Sequence, residues 1–397
     1  NGYPQPVGQR NRTWHLLGVF VLALALRWYA AAAATIINFD GPLYIFQAKA
    51  LSLGDWGRVF SCSPKYLSSL PFLIAFCQYF VGDWVLAAKA VGVVFGSLLV
   101  VAMYLLFRRF LKQEIAFLTA LLAALLPSFV DLSAEVIRDP VAACFAAWAL
   151  YAFVRYLEDK VAFSLWVSSV GFLLACWTRV EMVLFVVGGV SYLLFRHRSY
   201  GLRAALVFAT PYLAVAVFLG AYLYGKGPSH MNLFRLHEIG QAATAWVHNY
   251  HTLRDHLAVL ANGPTIGMDQ LFFEKARKLV WLIALGTLGA YLVKALFYGY
   301  PLFLVLGVGR VWKEGLQDRS LRYLMALSLG ALAVLLLHLL QNWVLEVRFF
   351  LLFFVPGFVL MGYGIGQTVK WLERRSRLGR RMICLGLGLL MLISMVP

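Results

Sequence analysis

One carboxylate ends the first long apolar run of this chain. The stretch IINFDGPLYIFQAKAL, residues 36–51, places Asp40 where that run stops and Tyr44 four residues further on. A carboxylate can take a proton from a hydroxyl that it reaches directly or through one water, so Asp40 is a candidate general base. With 18 Asp and Glu against 35 Lys and Arg, each acid can be weighed singly. A second group lies in DLSAEVIRDP (131–140), where Glu135 and Asp139 are spaced i, i+4 with Arg138 beside them. Either acid could orient a substrate, hold a cation or supply the base itself. Arg179 and Glu181 stand in CWTRVEMVLFV (176–186), Arg348 in VRFFLLFFVPGFVL (347–360) and Lys65 in PKYLSSLPFL (64–73). Guanidinium and ammonium groups stabilise a departing anion, and guanidinium can do so with two parallel bonds. Plainer readings stand beside these. Asp40 and Asp139 precede Pro42 and Pro140 as helix N-caps do. Arg138 and Arg348 sit at ends of apolar runs, where cations reach toward headgroups. Glu181 beside Arg179 reads first as a structural pair.

These groups need a scaffold, and the composition says which kind. The chain is 62% hydrophobic and 13% charged, with mean hydropathy +0.77, where soluble domains carry about 25% charged residues. The chain is therefore an all-α polytopic membrane protein. Its net charge of +17 falls in short clusters between apolar runs, the pattern of cytoplasmic loops, and nucleic-acid binding is set aside. The apolar runs are 14–36, 83–107, 114–130, 140–156, 162–178, 182–195, 203–224, a stretch within 278–311, 322–342, 348–369 and 381–396. They predict about eleven spans. Placing the N-terminus inside puts the basic clusters at 108–112, 155–160, 196–203, 310–322 and 370–381 on the cytoplasmic side. That solution allows one span in the 278–311 region, at 295–311, preceded by a surface helix at 274–292. The spans are almost free of charge, Lys89 near the start of the second being the nearest exception.

Two long external loops follow, at 37–82 and 225–292, with amphipathic stretches suited to the membrane surface. The expectation is a single transmembrane domain over 1–397, with no cleavable signal peptide and no soluble C-terminal domain. The five cysteines form no CxxC or Cys/His ligand spacing. Cys62 and Cys77 could meet in the first loop, although small apolar filling is the plainer reading. His248, His251 and His256 lie near Asp255. A divalent metal could use them, but their spacing matches no ligand motif such as HExxH. No metal ligand is assigned, and no cofactor is certain.

The stretch 37–156 resembles the GT-C superfamily of integral-membrane glycosyltransferases, most closely the branch of aminoarabinose transferases and protein O-mannosyltransferases. Asp40, Tyr44 and the Gly54–Asp55–Trp56 sequence are similar to the opening of that family's first external loop. VGDWVLAAKAVGVVFGSLLVVAMYLLFRRF (81–110) is similar to the span that follows it. SAEVIRDPVAACF (133–145) is similar to its later Asp-initiated helix. The segments around Arg179 and Arg348 are weaker echoes. The chain departs from the family where Lys65 matches a Lys-Pro-Pro-Leu element loosely, and where Gly41 follows Asp40 in place of the common Glu.

The resemblance implies a GT-C bundle whose external-loop helices cover a site on the non-cytoplasmic face, in a bacterial inner membrane. It implies a sugar donor carried on a polyprenyl phosphate, and an acceptor hydroxyl on a glycolipid, a protein or a polysaccharide. Under it Asp40 is the base, with Glu135 and Asp139 as alternatives. Arg348, Lys65, Arg138 and Arg179 face the donor phosphate, and Tyr44 and Glu181 position substrate. Two rivals remain: a lipid or glycan transporter or flippase, and a non-catalytic subunit of an envelope polysaccharide system. A transporter predicts ionisable groups on a path at mid-membrane.

Overall fold

The computed structural model describes residues 9–61, 66–196, 201–226, 236–263, 268–315, 318–376 and 379–395. Among them every regular element is helical. Helix α1 (Gln9–Ala33) is followed in the first loop by α2 (Gly41–Ser52), the short α3 (Trp56–Val59) and α4 (Ser69–Val81). Then come α5 (Trp84–Phe110), the pair α6 (Gln113–Leu125) and α7 (Pro127–Ala134), α8 (Asp139–Asp159), α9 (Ala162–Thr178), α10 (Val183–Arg196) and α11 (Gly201–Lys226). The second half holds α12 (Leu236–Ala261), α13 (Met268–Ala295), α14 (Pro301–Arg310), α15 (Arg319–Asn342), α16 (Leu351–Arg375) and α17 (Arg380–Met395).

Among the described residues seven helices are long and apolar enough to cross a membrane, or eight if the bent pair α6/α7 is one span. The sequence expectation was about eleven. The difference lies in the short apolar helices. α9 has 17 residues, α10 has 14 and α17 has 16, against the ~20 of a full crossing. The 278–311 region does contribute one long helix, but not where charge placed it. α13 keeps span-like hydropathy from Asp269 to Ala295, and Pro301 starts the ten-residue α14 only after a turn. The proline lacks the N–H needed to continue a helix through it.

α5, α8 and α16 form the centre. Their most apolar windows are 72%, 67% and 83% buried by other helices, against 22% for α1 and 11% for α11. The peripheral helices keep large apolar side chains outward, which suits lipid rather than water.

The break between α6 and α7 aims the acidic segment at the site. Pro127 forces Leu126 out of helical geometry, to φ −56° and ψ 117°, and the pair bends by 51°. The Arg27 guanidinium, wholly buried in α1, donates to the Ala124 carbonyl beside this break at 3.1 Å and to Ser133 Oγ at 3.2 Å. A Cβ at Gly92 would lie 2.6 Å from the Ser133 carbonyl oxygen and 3.2 Å from that of Glu135. The bare backbone of α5 therefore lets α7 and its exit press close, which fixes residues 133–139 in depth.

Lys89 is likewise a bracket. Its Nζ donates to the carbonyls of Ala31 and Ala34 at 2.8 and 2.6 Å, oxygens that the end of α1 leaves without helical partners. Arg27 and Lys89 thus tie backbone segments of neighbouring helices together.

Candidate active site

Asp40 occupies the N-cap position of α2, yet its side chain makes no capping hydrogen bond. The backbone there is helical, with φ −75° and ψ −19°, and the carboxylate turns elsewhere. Asp40 Oδ2 accepts from Arg348 Nη1 at 3.1 Å across 308 positions of sequence. α2 is seated for this by its other face. Tyr44, Ile45 and Ala48 are buried against Leu70, Ile74, Val91 and Val136, and buried Gln47 donates to the carbonyls of Val59 and Tyr66. Asp40 is left 41% exposed at the rim.

Arg348 lies in the 3₁₀ turn that begins the α16 span. Its guanidinium meets two carboxylates, Asp40 and Glu346, the second at 2.8 Å from Nε. The Phe349 ring lies within cation–π range of both Arg348 and Arg179, at 5.5 and 5.2 Å.

Below this rim sits a closed unit. Arg179, at the C-cap of α9, binds buried Asp139 through Nη1 and Glu181 through Nε and Nη2, the last two at 3.2 and 3.1 Å. Asp139 is 3% exposed, so this carboxylate is enclosed with its counter-charge. The adjacency reading of Arg179 and Glu181 as a pair agrees with these bonds. A cavity of about 40 Å³ runs between Asp139, Arg179, Glu181, His338 and Arg348. That is room for water and too little for a sugar. Anything of sugar size could meet the cluster only from its exposed side, where Asp40 lies.

Arg138 differs from the other two arginines. It makes no ion pair among the described residues, and its guanidinium lies 5.0 Å from the Tyr66 ring centroid. Burial pulls its pKa below that of an ordinary arginine, a cost that an incoming anion would relieve. Tyr44 is buried next to this charge, and burial pushes its hydroxyl up. Glu135 accepts from Asn38 Nδ2 at 2.9 Å. Burial raises its carboxyl above the ordinary glutamate value of 4.5, against the pull of the Asn38 bond and of Arg348.

The fold thus gathers Asp40, Tyr44, Glu135, Arg138, Asp139, Arg179, Glu181 and Arg348 at one end of the bundle. Lys65 and Cys62 lie outside the described residues. Three participants were not singled out from sequence: Glu346, Asn38 and His338, whose ring stands edge-on to Phe349 at 4.7 Å. Asn38 sits within the opening IINFDG stretch and Glu346 two residues before Arg348, so proximity was the available signal. His338 lies inside an apolar span and gave none. Among the described residues no three His, Cys, Asp or Glu side chains gather as a metal site.

Residues 69–224 match the family model described as dolichyl-phosphate-mannose-protein mannosyltransferase. The matched region runs from α4 into α11 and contains Glu135, Arg138, Asp139, Arg179 and Glu181, while Asp40 and Arg348 lie outside it. The match overlaps, over residues 69–156, the stretch whose motifs resemble the GT-C superfamily. No curated protein matches the chain. Among solved structures the chain is similar to the crystal structure of ArnT from Cupriavidus metallidurans bound to undecaprenyl phosphate. Identity is 13% and the TM-score 0.43, over 90% of this chain and 79% of that one.

Proposed function

We propose that this integral membrane protein moves a sugar from a polyprenyl-phosphate carrier to an acceptor hydroxyl, with Asp40 as general base. The observation that carries this reading is the Asp40–Arg348 contact. A group fit to take a proton and a group fit to hold a phosphate meet at the rim of one bundle end. The family matched over 69–224 is named for a sugar carried on dolichyl phosphate and a protein acceptor, which supports a lipid-phosphate donor. Positive-inside charge supports a site on the non-cytoplasmic face, in a bacterial inner membrane under this reading.

The chemistry can be written from the residues. The acceptor O–H gives its proton to Asp40 as its oxygen bonds the anomeric carbon. The bond from that carbon to the phosphate oxygen breaks, and the polyprenyl phosphate leaves with the electron pair. Among the described residues Arg138 has no carboxylate partner to displace, and it takes the phosphate first. Arg348 turns one edge of its fork from Asp40 to the same phosphate, which frees the carboxylate for the acceptor. Donor binding and base release are thereby one event. Asp139, held by Arg179, keeps the floor rigid. The transport reading draws less support, because Lys89 bonds two backbone carbonyls and Arg27 bonds two carbonyls and the Ser133 hydroxyl.

The test is sugar release from polyprenyl-phosphate donors by purified protein with an acceptor extract. Arg138→Gln raises the donor KM about ten- to a hundredfold, the effect of removing a charged hydrogen-bond partner. A folded wild type that consumes no donor under these conditions would overturn the enzyme reading.

The pH profile gives a second check. An ionised Glu135 is needed to hold Asn38 beside Asp40, so activity falls as pH drops through a raised Glu135 pKa. Protonation of Glu135 therefore adds a component to the acid limb of kcat/KM above the ordinary glutamate value of 4.5, and Glu135→Gln removes that component while the limb of the base itself stays. A limb unchanged in that variant would assign it to another group.

A further inference from the structure

The end of the bundle opposite the Asp40 cluster holds a larger cavity that the proposed transfer leaves unused. Its volume is about 310 Å³. The two ends are joined by one helix: Arg348 lies at the start of α16 and Lys370 near its end, 22 positions on, or about 30 Å at helical rise. α15 gives the same ordering, with Asp318 and Leu321 at this cavity and His338 at the other.

Four cations line the cavity, Lys112, Arg310, Lys370 and Arg380, against one carboxylate, Asp318. That carboxylate is already engaged, since Asp318 Oδ1 accepts from the backbone N–H of Ser320 and Leu321 at the start of α15. Arg380 leans on Glu114 at 3.2 Å. Lys112 and Lys370 make no ion pair among the described residues and are exposed. Apart from Gln367 and Tyr363 the remaining wall is apolar or small, with Gly366 facing Ile115.

Two tryptophans give the depth. Trp312, two residues from Arg310, is 66% exposed, and Trp371, next to Lys370, is 54% exposed. Exposed tryptophan at the end of an apolar helix sits at headgroup level. A pocket there, cationic at its mouth and apolar on its walls, has the two halves of a lipid's polar–apolar junction.

We infer that this cavity binds the phosphate group of an anionic membrane lipid, held among Lys112, Arg310, Lys370 and Arg380. It is a lipid site at the far end of the bundle from the transfer chemistry, and it does not rest on the assignment of that chemistry. The lysines give charge without fixed geometry, so they suit a phosphodiester that enters sideways from the leaflet.

The experiment uses the full chain in detergent. Its thermal midpoint is followed as phosphatidylglycerol is titrated into the micelles, with phosphatidylcholine as the zwitterionic control and inorganic phosphate as the free-anion arm. Two variants are compared with wild type: Lys112→Gln/Lys370→Gln, which removes charge, and Gly366→Leu, which fills the cavity without changing charge. Phosphatidylglycerol raises the wild-type midpoint more than phosphatidylcholine does. Its apparent affinity falls about tenfold or more in the double variant and comparably in Gly366→Leu. Both variants keep the wild-type midpoint before lipid is added. An equal phosphatidylglycerol response in all three proteins would overturn the site. The same shift with inorganic phosphate, lost in the same variants, would overturn the lipid assignment in favour of a free phosphate. Should a variant fold poorly, native mass spectrometry of wild type decides. Retention of phosphatidylglycerol no greater than of phosphatidylcholine overturns the proposal without any variant.

Discussion

Asp40→Asn lowers kcat for sugar transfer by about 10²–10⁴-fold, the contribution of a positioned general base, while the protein is made and folds as before. The second half of this expectation follows from the geometry. The Asp40 side chain caps nothing and is 41% exposed. Its one ion pair among the described residues, with Arg348, stands at the rim, where screening by water leaves such pairs worth about 1 kcal/mol or less. The kinetic signature is equally specific. Asparagine keeps the shape of the side chain but cannot take the acceptor proton, and it loosens one of the two carboxylates that hold Arg348. The donor phosphate then competes with less, so the donor KM falls while kcat collapses. A folding defect would instead lower the amount of active enzyme and leave the KM of the remainder unchanged. Steady-state kinetics with the donor varied separate these cases. A variant with wild-type kcat would move the base to Glu135, the next carboxylate on the same rim.

How much of this could be read beforehand depends on how local each feature is. Helix α2 was legible because its signals are adjacent: Asp40, Gly41 and Pro42 announce a start, and the apolar residues behind them repeat at helical spacing. The pairing of Arg179 with Glu181 was legible for the same reason. The pairing of Asp40 with Arg348 was not, because the path of the chain between them, and no pattern at either end, brings them to 3.1 Å. The plain reading of Asp40 as a cap failed on a side-chain rotation that spacing does not encode. Asp139 illustrates the opposite limit. Its Pro140 neighbour marks a helix start correctly, but nothing local says that Arg179, 40 positions away, will enclose it. Hydropathy located the long helices and counted with them apolar runs that form helices of 14–17 residues, short of a full crossing by length. In the α13 region loop charge gave the right number of long helices in the wrong place. The charge rule counts crossings and carries no register. Lys89 looked like a charge inside a span because the α1 carbonyls that it binds are 55 and 58 positions away.

The largest stability effect belongs to Arg179. Arg179→Ala strands the Asp139 carboxylate, 3% exposed, without the guanidinium that compensates its burial, and Glu181 loses both of its bonds. Breaking a buried pair from one side costs about 3–5 kcal/mol, because the surviving charge stays desolvated. That is a large share of the roughly 5–15 kcal/mol that holds a protein folded, so the variant unfolds at much lower temperature or denaturant in detergent. The effect also reaches function, since the packing around Phe349, which both arginines approach, sets the angle at which Arg348 meets Asp40. Asp139→Asn added to Arg179→Ala removes the stranded charge as well. The double variant is then more stable than Arg179→Ala alone, by a coupling of roughly 0.5–3 kcal/mol. That recovery distinguishes an uncompensated charge from a simple loss of packing, which a second truncating change would only deepen. Equal midpoints for wild type and Arg179→Ala would show instead that water reaches Asp139 and that the floor of the site is open.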